Sequence, residues 1–291
     1  MEDIENEISK YNLTQFNDKI IYCNCDDPTW SNFFKFFVKW GNKLQIKEVH
    51  FTNYANGKRE FKQATLFEKN DLKESITDDK KGTAHHWIYS PKTKKLIKRE
   101  LKGNGDFRSD ECKKILEKSD IVITNPPFSI FNDFISLLVK YKRQYLIISD
   151  ENKISNNKIF PLIKENKLWL GYNRIKKFLK PNGTYQIFGN KCWFTNLDVL
   201  YRHQPLILHS QNINQFKKYD NYDAIEVNEK KLIPDNYYGK MGVYPATFLF
   251  NYCPDQFYII GLSGVDIKIK KGRFYVNKKR LQPRLVIRRK R

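Results

Sequence analysis

Short apolar runs alternate with amphipathic segments along the first two thirds of the chain. Continuous or alternating apolar runs predict strands, and apolar side chains spaced three or four residues apart predict helices. The predicted strands are residues 19–25, 46–51, 120–124, 144–149, 168–171, 185–188 and 192–195, and the predicted helices are residues 2–11, 28–40, 128–141 and 156–165, with one more from residue 109. This order predicts an α/β fold with a mostly parallel sheet, helices on both faces and an antiparallel hairpin at one edge.

The pattern changes at two places and predicts the domain organisation. Residues 52–100 are mostly polar and weakly periodic, which indicates an inserted loop or hairpin. Beyond about residue 200 the pieces become short and rich in Tyr, Asn and Asp, with a strand-like run at residues 256–262. We therefore predict a larger domain over residues 1–200 and a smaller region over residues 201–291.

Helix start signals and the termini add further expectations. Asp27 is a good N-cap and Pro28 suits the first helical position, so a helix is predicted to begin there. No apolar run approaches a membrane span, and the N-terminus has no basic start followed by an apolar stretch. We expect a cytoplasmic protein without membrane contacts.

Cysteines and histidines give no sign of a metal site. The five cysteines are scattered without a CxxC pair, and Cys23 and Cys25 are expected to be small core residues on one strand. His85 and His86 have no acidic or cysteine partners at ligand spacing. We expect ordinary exposed histidines and no metal.

The chain is strongly basic. Lys and Arg number 53 against 32 Asp and Glu, which gives a formal net charge of +21. Such a charge favours a polyanionic partner, although AT-biased coding that leaves many lysines solvated explains it as well. Residues 268–291 contain about a dozen basic residues, no acid, and an aromatic pair in between, which favours a phosphate-binding surface.

Residues 125–128, Asn-Pro-Pro-Phe, follow the predicted buried strand at 120–124. Ligands of open parallel sheets bind beyond the carboxyl ends of the strands. The side-chain oxygen of Asn125 and the carbonyl of Pro126 can accept the two hydrogens of an exocyclic amine, which is a poor nucleophile because its lone pair is delocalised. Pro127 stiffens this backbone, and Phe128 can stack on a base swung out of a duplex.

A purely structural interpretation of the same tetrapeptide is a strand-terminating turn followed by the first core residue of a helix. The buried strand before it and the amphipathic helix after it favour the functional interpretation. The pattern therefore predicts methylation of a planar amine.

Six segments together resemble the EcoRI-type adenine-specific DNA methyltransferase family. They span nearly the whole chain and lie in the same order: residues 22–28 with 31–33, 103–110, 123–129, 192–198, 219–225 and 241–243. The resemblance implies a Rossmann-like methyltransferase domain over residues 1–200, S-adenosyl-L-methionine as methyl donor, and no metal. It implies duplex DNA as substrate, a DNA-recognition region over residues 201–291, and often a cognate restriction endonuclease encoded nearby.

The resemblance also assigns cofactor-binding positions. They are Asn24, Asp26, Asp27, Pro28, Ser31, Asp106 and Phe107. The residues alone support this less directly, since no glycine-rich turn follows the first strand and helix capping explains Asp26 and Asp27 equally well. The family usually carries a Phe-Tyr-Thr-like cofactor segment before the helix that matches residues 2–11, where this sequence begins.

DNA contacts are expected from basic and aromatic residues near the motif and in the C-terminal region. The candidates are Arg174, Lys176, Lys177, Trp193, Arg273, Lys278, Arg280, Arg284, Arg288 and Arg289. The alternatives are that Trp193 belongs to the core and that the basic terminus is a solvated tail.

Three other functions remain open from the sequence. The same Asn-Pro-Pro-Phe arrangement serves methylation of an RNA base or of a protein glutamine. The third alternative is a DNA-binding remnant of the family that no longer turns over substrate.

Overall fold

The computed structural model describes residues 1–55, 82–179, 184–269 and 272–291. The chain folds into two units. The first contains residues 1–150 and 171–198, and the second contains residues 151–170 and 199–291. Residues 151–170 thus belong to the second unit, although the predicted larger domain included them. No helix in the described part of the chain is long and apolar enough to cross a membrane.

Six helices are found among the described residues: α1 (Glu2–Ile8), α2 (Asn32–Trp40), α3 (Asp110–Lys118), α4 (Phe131–Lys140), α5 (Phe160–Lys164) and α6 (Pro245–Leu249). Short 3-10 helices lie at Leu13–Phe16, Phe128–Ile130, Glu151–Ser155, Leu200–His203, Ile213–Gln215 and Lys230–Leu232.

Fifteen strands are described. They are β1 (Ile20–Asn24), β2 (Glu48–Thr52), β3 (His85–Ser90), β4 (Lys95–Glu100), β5 (Ile121–Thr124), β6 (Gln144–Asp150), β7 (Trp169–Leu179), β8 (Tyr185–Thr195), β9 (Lys218–Tyr219), β10 (Tyr222–Glu226), β11 (Lys240–Val243), β12 (Phe257–Leu262), β13 (Tyr275–Val276), β14 (Lys279–Arg280) and β15 (Leu285–Arg289).

The first eight described strands form one mixed sheet in the order β4-β3-β2-β1-β5-β6-β8-β7. Strands β2, β1, β5 and β6 run parallel, while β3 is antiparallel to β2 and β8 is antiparallel to β6. The predicted α/β architecture is confirmed, although the sheet is mixed rather than mostly parallel, with antiparallel strands on both sides of the four parallel ones. Strand β1 lies between β2 and β5, so the strand order reverses there, and ligands of open α/β sheets bind beside such a reversal.

The central strands read as apolar runs because both of their faces are covered. All four residues of β5 are buried, as are Ile21, Tyr22 and Cys23 of β1. Helix α2 contributes four buried phenylalanines, from Phe33 to Phe37. Cys23 is a small core residue, as predicted, whereas Cys25 lies just beyond β1 with a positive φ and is half-buried, so it does not share a strand face with Cys23.

The predicted start of the second helix is wrong. Ser31, not Asp27, is its N-cap, because the Ser31 hydroxyl accepts the backbone N–H groups of Phe33 and Phe34. Asp27 instead caps a tight turn by accepting the N–H and hydroxyl of Thr29, at 2.9 and 2.7 Å. Pro28 therefore lies in a loop between β1 and the helix. At residue 109 the prediction is confirmed, since the Ser109 hydroxyl accepts the N–H of Cys112 at 3.2 Å.

The inserted segment carries an antiparallel hairpin, β3 and β4, at the edge of the sheet. Residues 56–81 of the predicted insertion lie outside the described residues. The expectation of exposed histidines is wrong, because His85 is buried and the Nε2 atom of His86 lies 2.9 Å from Nδ1 of His50 on β2. In the pairing of β3 with β2, Thr52 lies opposite His86. His50 is two residues before Thr52 on the same face of β2, so its imidazole is a diagonal neighbour of the His86 imidazole.

A buried carboxylate fixes α1 to β7. Glu7 accepts the backbone N–H groups of Tyr172 and Asn173, each at 2.8 Å, together with the Asn173 amide at 2.9 Å and the Tyr11 hydroxyl at 3.0 Å. Burial raises the pKa of Glu7 to about 7, against the opposing effect of these hydrogen bonds. The N-terminal helix is thereby fixed to the β7 backbone.

The second unit has a five-stranded sheet in the order β12-β15-β11-β10-β9. Strand β15 is antiparallel to both of its neighbours, β11 and β12. A buried ion pair joins this sheet, since Arg284 contacts Glu226 at 2.8 Å and Glu226 accepts the hydroxyl of Tyr219. Strands β13 and β14 form a separate two-stranded ribbon.

We predict that Glu7→Ala lowers the free energy of unfolding by about 1–3 kcal/mol, because four donors lose their acceptor in the interior. Thermal or denaturant unfolding of the two proteins measures this loss. Glu2→Ala is the control, since Glu2 is exposed on the same helix; equal losses in both variants would contradict the role of Glu7.

The Glu7 contribution should also depend on pH. Its folded pKa of about 7 exceeds the usual value of 4.5, so the folded protein binds this proton more tightly than the unfolded chain does. The contribution is therefore complete below about pH 4.5 and decreases as the pH rises towards 7. The difference in melting temperature between wild type and Glu7→Ala should be larger at the acid end of this window.

Candidate active site

The carboxyl ends of β1 and β5 lie side by side, and the Asn-Pro-Pro-Phe segment leaves the sheet at this point. Register pairs Ile21 with Ile121 and Tyr22 with Val122. Asn125 therefore follows β5 at the strand-order reversal. The site predicted from the sequence is positioned by the two central parallel strands.

The side-chain oxygen of Asn125 is buried and accepts no hydrogen bond from the described residues. Such an atom loses its hydration on folding without a replacement, which costs about 1–3 kcal/mol. A ligand that donates a hydrogen bond removes this penalty when it binds. The geometry at Asn125 is thus prepared for a donor such as an amine N–H.

Asp26 holds the backbone of Asn125 in place. One carboxylate oxygen accepts the hydroxyl of Thr124 at 2.7 Å, the other accepts the hydroxyl of Ser31 at 3.0 Å, and the carboxylate also accepts the N–H of Asn125. The Asp26 N–H donates to the carbonyl of Thr52, at 3.1 Å. One buried side chain thus joins the ends of β1 and β5 to the start of α2.

Burial raises the pKa of Asp26 to about 7, and the donors from Thr124, Ser31 and Asn125 act in the opposite direction. The Thr124 hydroxyl also contacts the carbonyl oxygen of Asn24. The carboxylate is enclosed by its own protein partners. Its observed contacts are those of a residue that positions the Asn125 loop.

Phe128 lies next to a buried ion pair. The ammonium nitrogen of Lys191 is 5.0 Å from the centre of the Phe128 ring and 2.7 Å from a carboxylate oxygen of Asp150. Asn190 donates to both oxygens of Asp150, at 3.1 and 3.0 Å, and its own side-chain oxygen accepts from Lys191 at 2.9 Å. Lys191 is only 5% exposed, so its position is set by these partners.

The antiparallel register of β6 and β8 creates this cluster, because it places Asp150 opposite Lys191. The sequence did not indicate either residue as part of a site. Asp150 gives a weak signal, since it directly follows a predicted strand at residues 144–149. Lys191 gives none, because the pairing of two strands decides where its ammonium group lies.

The cofactor candidates of the first loop mostly have their side chains inside the protein. Asn24, Asp26, Pro28 and Ser31 are buried. The Asn24 amide donates to the Tyr22 hydroxyl at 3.3 Å, and its oxygen accepts from the thiol of Cys25. These side chains shape the loop, whereas Asp27 is half-buried at its surface.

The turn at residues 103–107 lies beside the end of β2. The N–H of Ala55 donates to the carbonyl of Asn104 at 2.9 Å, and Gly105, with φ of 72°, packs so closely on Asn53 that a Cβ would overlap its carbonyl oxygen. This contact and the positive φ both require glycine at position 105. The turn is therefore held against the strand ends.

Asp106 and Phe107, the two cofactor candidates in this turn, differ in exposure. The Asp106 carboxylate is partly exposed and pairs with Arg108 at 2.7 Å, which lowers its pKa. Phe107 is buried against Phe134 of α4, with ring centres 5.2 Å apart. Asp106 lies at the surface of the turn with both carboxylate oxygens bonded to Arg108, while Phe107 supports the turn from below.

Two DNA-contact candidates are buried. Trp193 is in the core, with its ring edge-on to Phe33 at 6.1 Å, so the core alternative describes its position. Arg284 is 2% exposed and its guanidinium is occupied by Glu226 and lies 3.8 Å from the ring centre of Tyr244. Neither side chain is placed to contact a phosphate.

The other candidates are more accessible. Arg174, Lys176, Lys278, Arg280 and Arg288 are exposed, and Arg273 and Arg289 are half-buried. The side chain of Lys177 lies outside the described part of the structure. Among the residues that the structure describes, no three His, Cys, Asp or Glu side chains group as metal ligands would.

The chain is similar to known type II methyltransferases. A family profile described as "Adenine-specific methyltransferase EcoRI" matches residues 1–290. Type II methyltransferase M.EcoRI of Escherichia coli is 40% identical over 293 residues, which covers 91% of this chain and 85% of that protein.

Two mycoplasma proteins are similar as well. M.MgeORF184P of Mycoplasma genitalium is 37% identical over 89% of this chain and 80% of its own length. M.MpnI of Mycoplasma pneumoniae is 32% identical over 89% of this chain and 79% of its own length. No solved structure matches the chain. The profile match over almost every residue and the relatives' identities show that the chain belongs to the family of the adenine-specific methyltransferase EcoRI.

Proposed function

We propose that this protein methylates the exocyclic N6 of an adenine flipped out of duplex DNA, as the modification enzyme of a restriction-modification system. The single observation that carries the proposal is the side-chain oxygen of Asn125, which is buried at the reversal of strand order with no hydrogen-bond partner among the described residues. Membership of an adenine-specific methyltransferase family supports the reaction class. A cognate endonuclease encoded nearby remains part of the proposal.

The Asn125 oxygen accepts one hydrogen of the adenine amine, and the Pro126 carbonyl accepts the other. Two acceptors on one nitrogen draw its lone pair out of conjugation with the ring and favour a tetrahedral nitrogen, which is the nucleophilic form. Because Asp26 fixes the Asn125 backbone, these acceptors need no rearrangement when the base arrives. After the transfer, the same oxygens stabilise the positive charge on nitrogen until its proton leaves to water.

S-adenosyl-L-methionine, the donor that the methyltransferase family implies, supplies an electrophilic methyl group on a sulfonium centre. The residues at the strand ends fit a cationic donor. Asp27 and Asp106 are both partly exposed acids in turns beside these ends. We propose that these two acids contact the donor, while Asn24, Asp26, Pro28, Ser31 and Phe107 shape the walls of its site.

Phe128 provides the surface on which the flipped base stacks. The Lys191 ammonium, held by Asp150 and Asn190, contacts the ring at 5.0 Å and fixes its position. A cation over an aromatic face stabilises that arrangement by about 0.5–2 kcal/mol in a desolvated site. Lys191 thus acts as a positioning residue for the base-stacking ring.

We further propose that the first unit is a Rossmann-like methyltransferase domain and that residues 201–291 are the DNA-recognition region. The order of β2, β1, β5 and β6, all parallel, supports the first assignment. Exposed Arg174 and Lys176 on β7 are proposed phosphate contacts in the first unit. Arg273, Lys278, Arg280, Arg288 and Arg289 are proposed DNA contacts in the second unit.

We predict that Asn125→Ala lowers kcat by about 100- to 1000-fold, because one of the two acceptors for the amine is lost. Donor affinity, measured by calorimetry, should stay close to that of wild type. Asn132→Ala is the matched control, since the Asn132 oxygen is also buried without a partner among the described residues but lies on α4. Retained turnover in Asn125→Ala would remove Asn125 from catalysis.

Asp26→Ala should lower kcat by about 10- to 100-fold. Without Asp26, the Asn125 and Pro126 acceptors can shift, and a shift of about one ångström reduces the rate by roughly that factor. It should also lower the free energy of unfolding by about 1–3 kcal/mol. Asp27→Ala should chiefly weaken donor binding, so kinetics and calorimetry on both variants separate loop positioning from donor contact. Wild-type kcat in Asp26→Ala, below its melting temperature, would contradict the positioning role.

Label from a methyl-labelled donor should enter duplex DNA as N6-methyladenine when the protein is incubated with DNA, RNA and protein pools. Sequencing of methylated DNA from cells that express the chain then gives the target site. Label found only in RNA or protein would overturn the proposal. Failure to bind donor at millimolar concentration would instead favour a DNA-binding remnant of the family.

A further inference from the structure

A short basic ribbon in the second unit, residues 275–280, has the form of an element that enters a DNA groove. Val276 of β13 pairs with Lys279 of β14, so Asn277 and Lys278 form a two-residue connection. Their φ angles are 50° and 64°. Positive φ at both central residues defines the tight type I′ turn that matches the twist of a β-ribbon.

The turn between β9 and β10 holds this ribbon from one side. The Asp220 carboxylate accepts the backbone N–H of Asn277 at 3.1 Å and that of Lys278 at 2.6 Å. The N–H of Asp220 donates to the carbonyl of Tyr275 at 2.8 Å. Three hydrogen bonds from one residue thus fix the tip of the ribbon.

The base of the ribbon is fixed by an aromatic stack. The ring of Phe274, fully buried, stacks on Tyr219 at 4.4 Å and on Tyr222 at 4.9 Å, with ring planes 26° apart in both cases. The amide of Asn221 makes hydrogen bonds to the backbone on both sides of Phe274, at 2.9 and 3.2 Å. The ribbon is a rigid extension of the β9–β10 turn.

The tip is exposed and cationic. Every residue from Asn277 to Arg280 is exposed, and Lys278, Lys279 and Arg280 lie within three successive positions. The acid that holds the turn, Asp220, uses its carboxylate to accept the two backbone N–H groups of Asn277 and Lys278. A rigid scaffold therefore presents three cations to solvent. A basic tail that is merely solvated would not need such a fixed turn.

We propose that this basic ribbon enters the major groove of the substrate duplex and that Arg280 reads base edges there. The inference rests on the proposed DNA substrate. Strands in a ribbon are about 4.8 Å apart, and the groove is about 12 Å wide, so two strands with their side chains fill it. Arginine supplies two parallel donors that match the acceptors of guanine, and the lysines contact the flanking phosphates.

The test compares two duplexes, one with the site that the wild-type enzyme methylates and one with that site scrambled. Arg280→Ala should weaken binding to the target duplex about 10-fold or more and affect the scrambled duplex much less. The specificity ratio, which is the dissociation constant for the scrambled duplex divided by that for the target duplex, should therefore fall when both are measured by fluorescence anisotropy. Lys278→Ala should weaken both duplexes alike and make the salt dependence shallower by about one phosphate contact.

Asp220→Ala separates rigidity from charge. Loss of an acid near the tip strengthens binding to both duplexes if only overall charge matters. If the ribbon must be held in the groove, the ratio of the two dissociation constants falls instead. Lys231→Ala, at an exposed lysine of the same unit paired with Glu229, is the control and should leave the ratio unchanged.

The groove-reading role is overturned if Arg280→Ala does not weaken binding to the target duplex while the wild-type enzyme still methylates its site. Equal losses on the two duplexes for Arg280→Ala would also overturn it, since they indicate a phosphate contact. If the wild-type protein methylates no DNA, the proposed function fails first and this inference fails with it.

Discussion

A buried carboxylate at the carboxyl ends of the two central strands is the constraint on which the candidate active site depends. Asp26 accepts donors from Thr124, Ser31 and the backbone of Asn125. A carboxyl group taken out of water is costly unless donors replace its hydration, so its partners must stay where they are. The loop that carries the two proposed acceptors for the adenine amine is thereby fixed before any substrate binds.

Other buried charges in the first unit follow the same logic. Glu7 fixes α1 to the β7 backbone, and the Lys191–Asp150 pair lies beside Phe128 on two antiparallel strands. Each charged group is matched by several polar partners, which gives it one geometry instead of many. Charges that would otherwise be liabilities in the interior therefore position a helix, a loop and an aromatic ring.

The second unit separates its charges by function. Arg284 is buried and paired with Glu226, immediately before β15 begins. The cations of the basic ribbon are instead exposed, and the neighbouring Asp220 contributes its carboxylate to the turn backbone. Some of the basic residues are therefore buried in ion pairs and others are exposed, and only the exposed ones are available to a polyanion.

Local sequence determined the features that depend on neighbouring residues along the chain. The buried strand Ile121–Thr124, the Asn-Pro-Pro-Phe segment after it and the cap at Ser109 were predictable, because apolar runs, prolines and capping side chains act over a few residues. The family resemblance supplied the reaction class.

Tertiary structure decided what lies beside these features. Asp26 meets Thr124 although 98 residues separate them, and the register of β6 and β8 brings Lys191 to Asp150, beside Phe128. Tertiary structure also buried His85, which was expected to be exposed, and Trp193 and Arg284, which were candidate DNA contacts. Burial and charge pairing are set by which strands become neighbours, and that information is distributed over the whole chain rather than written in any one segment.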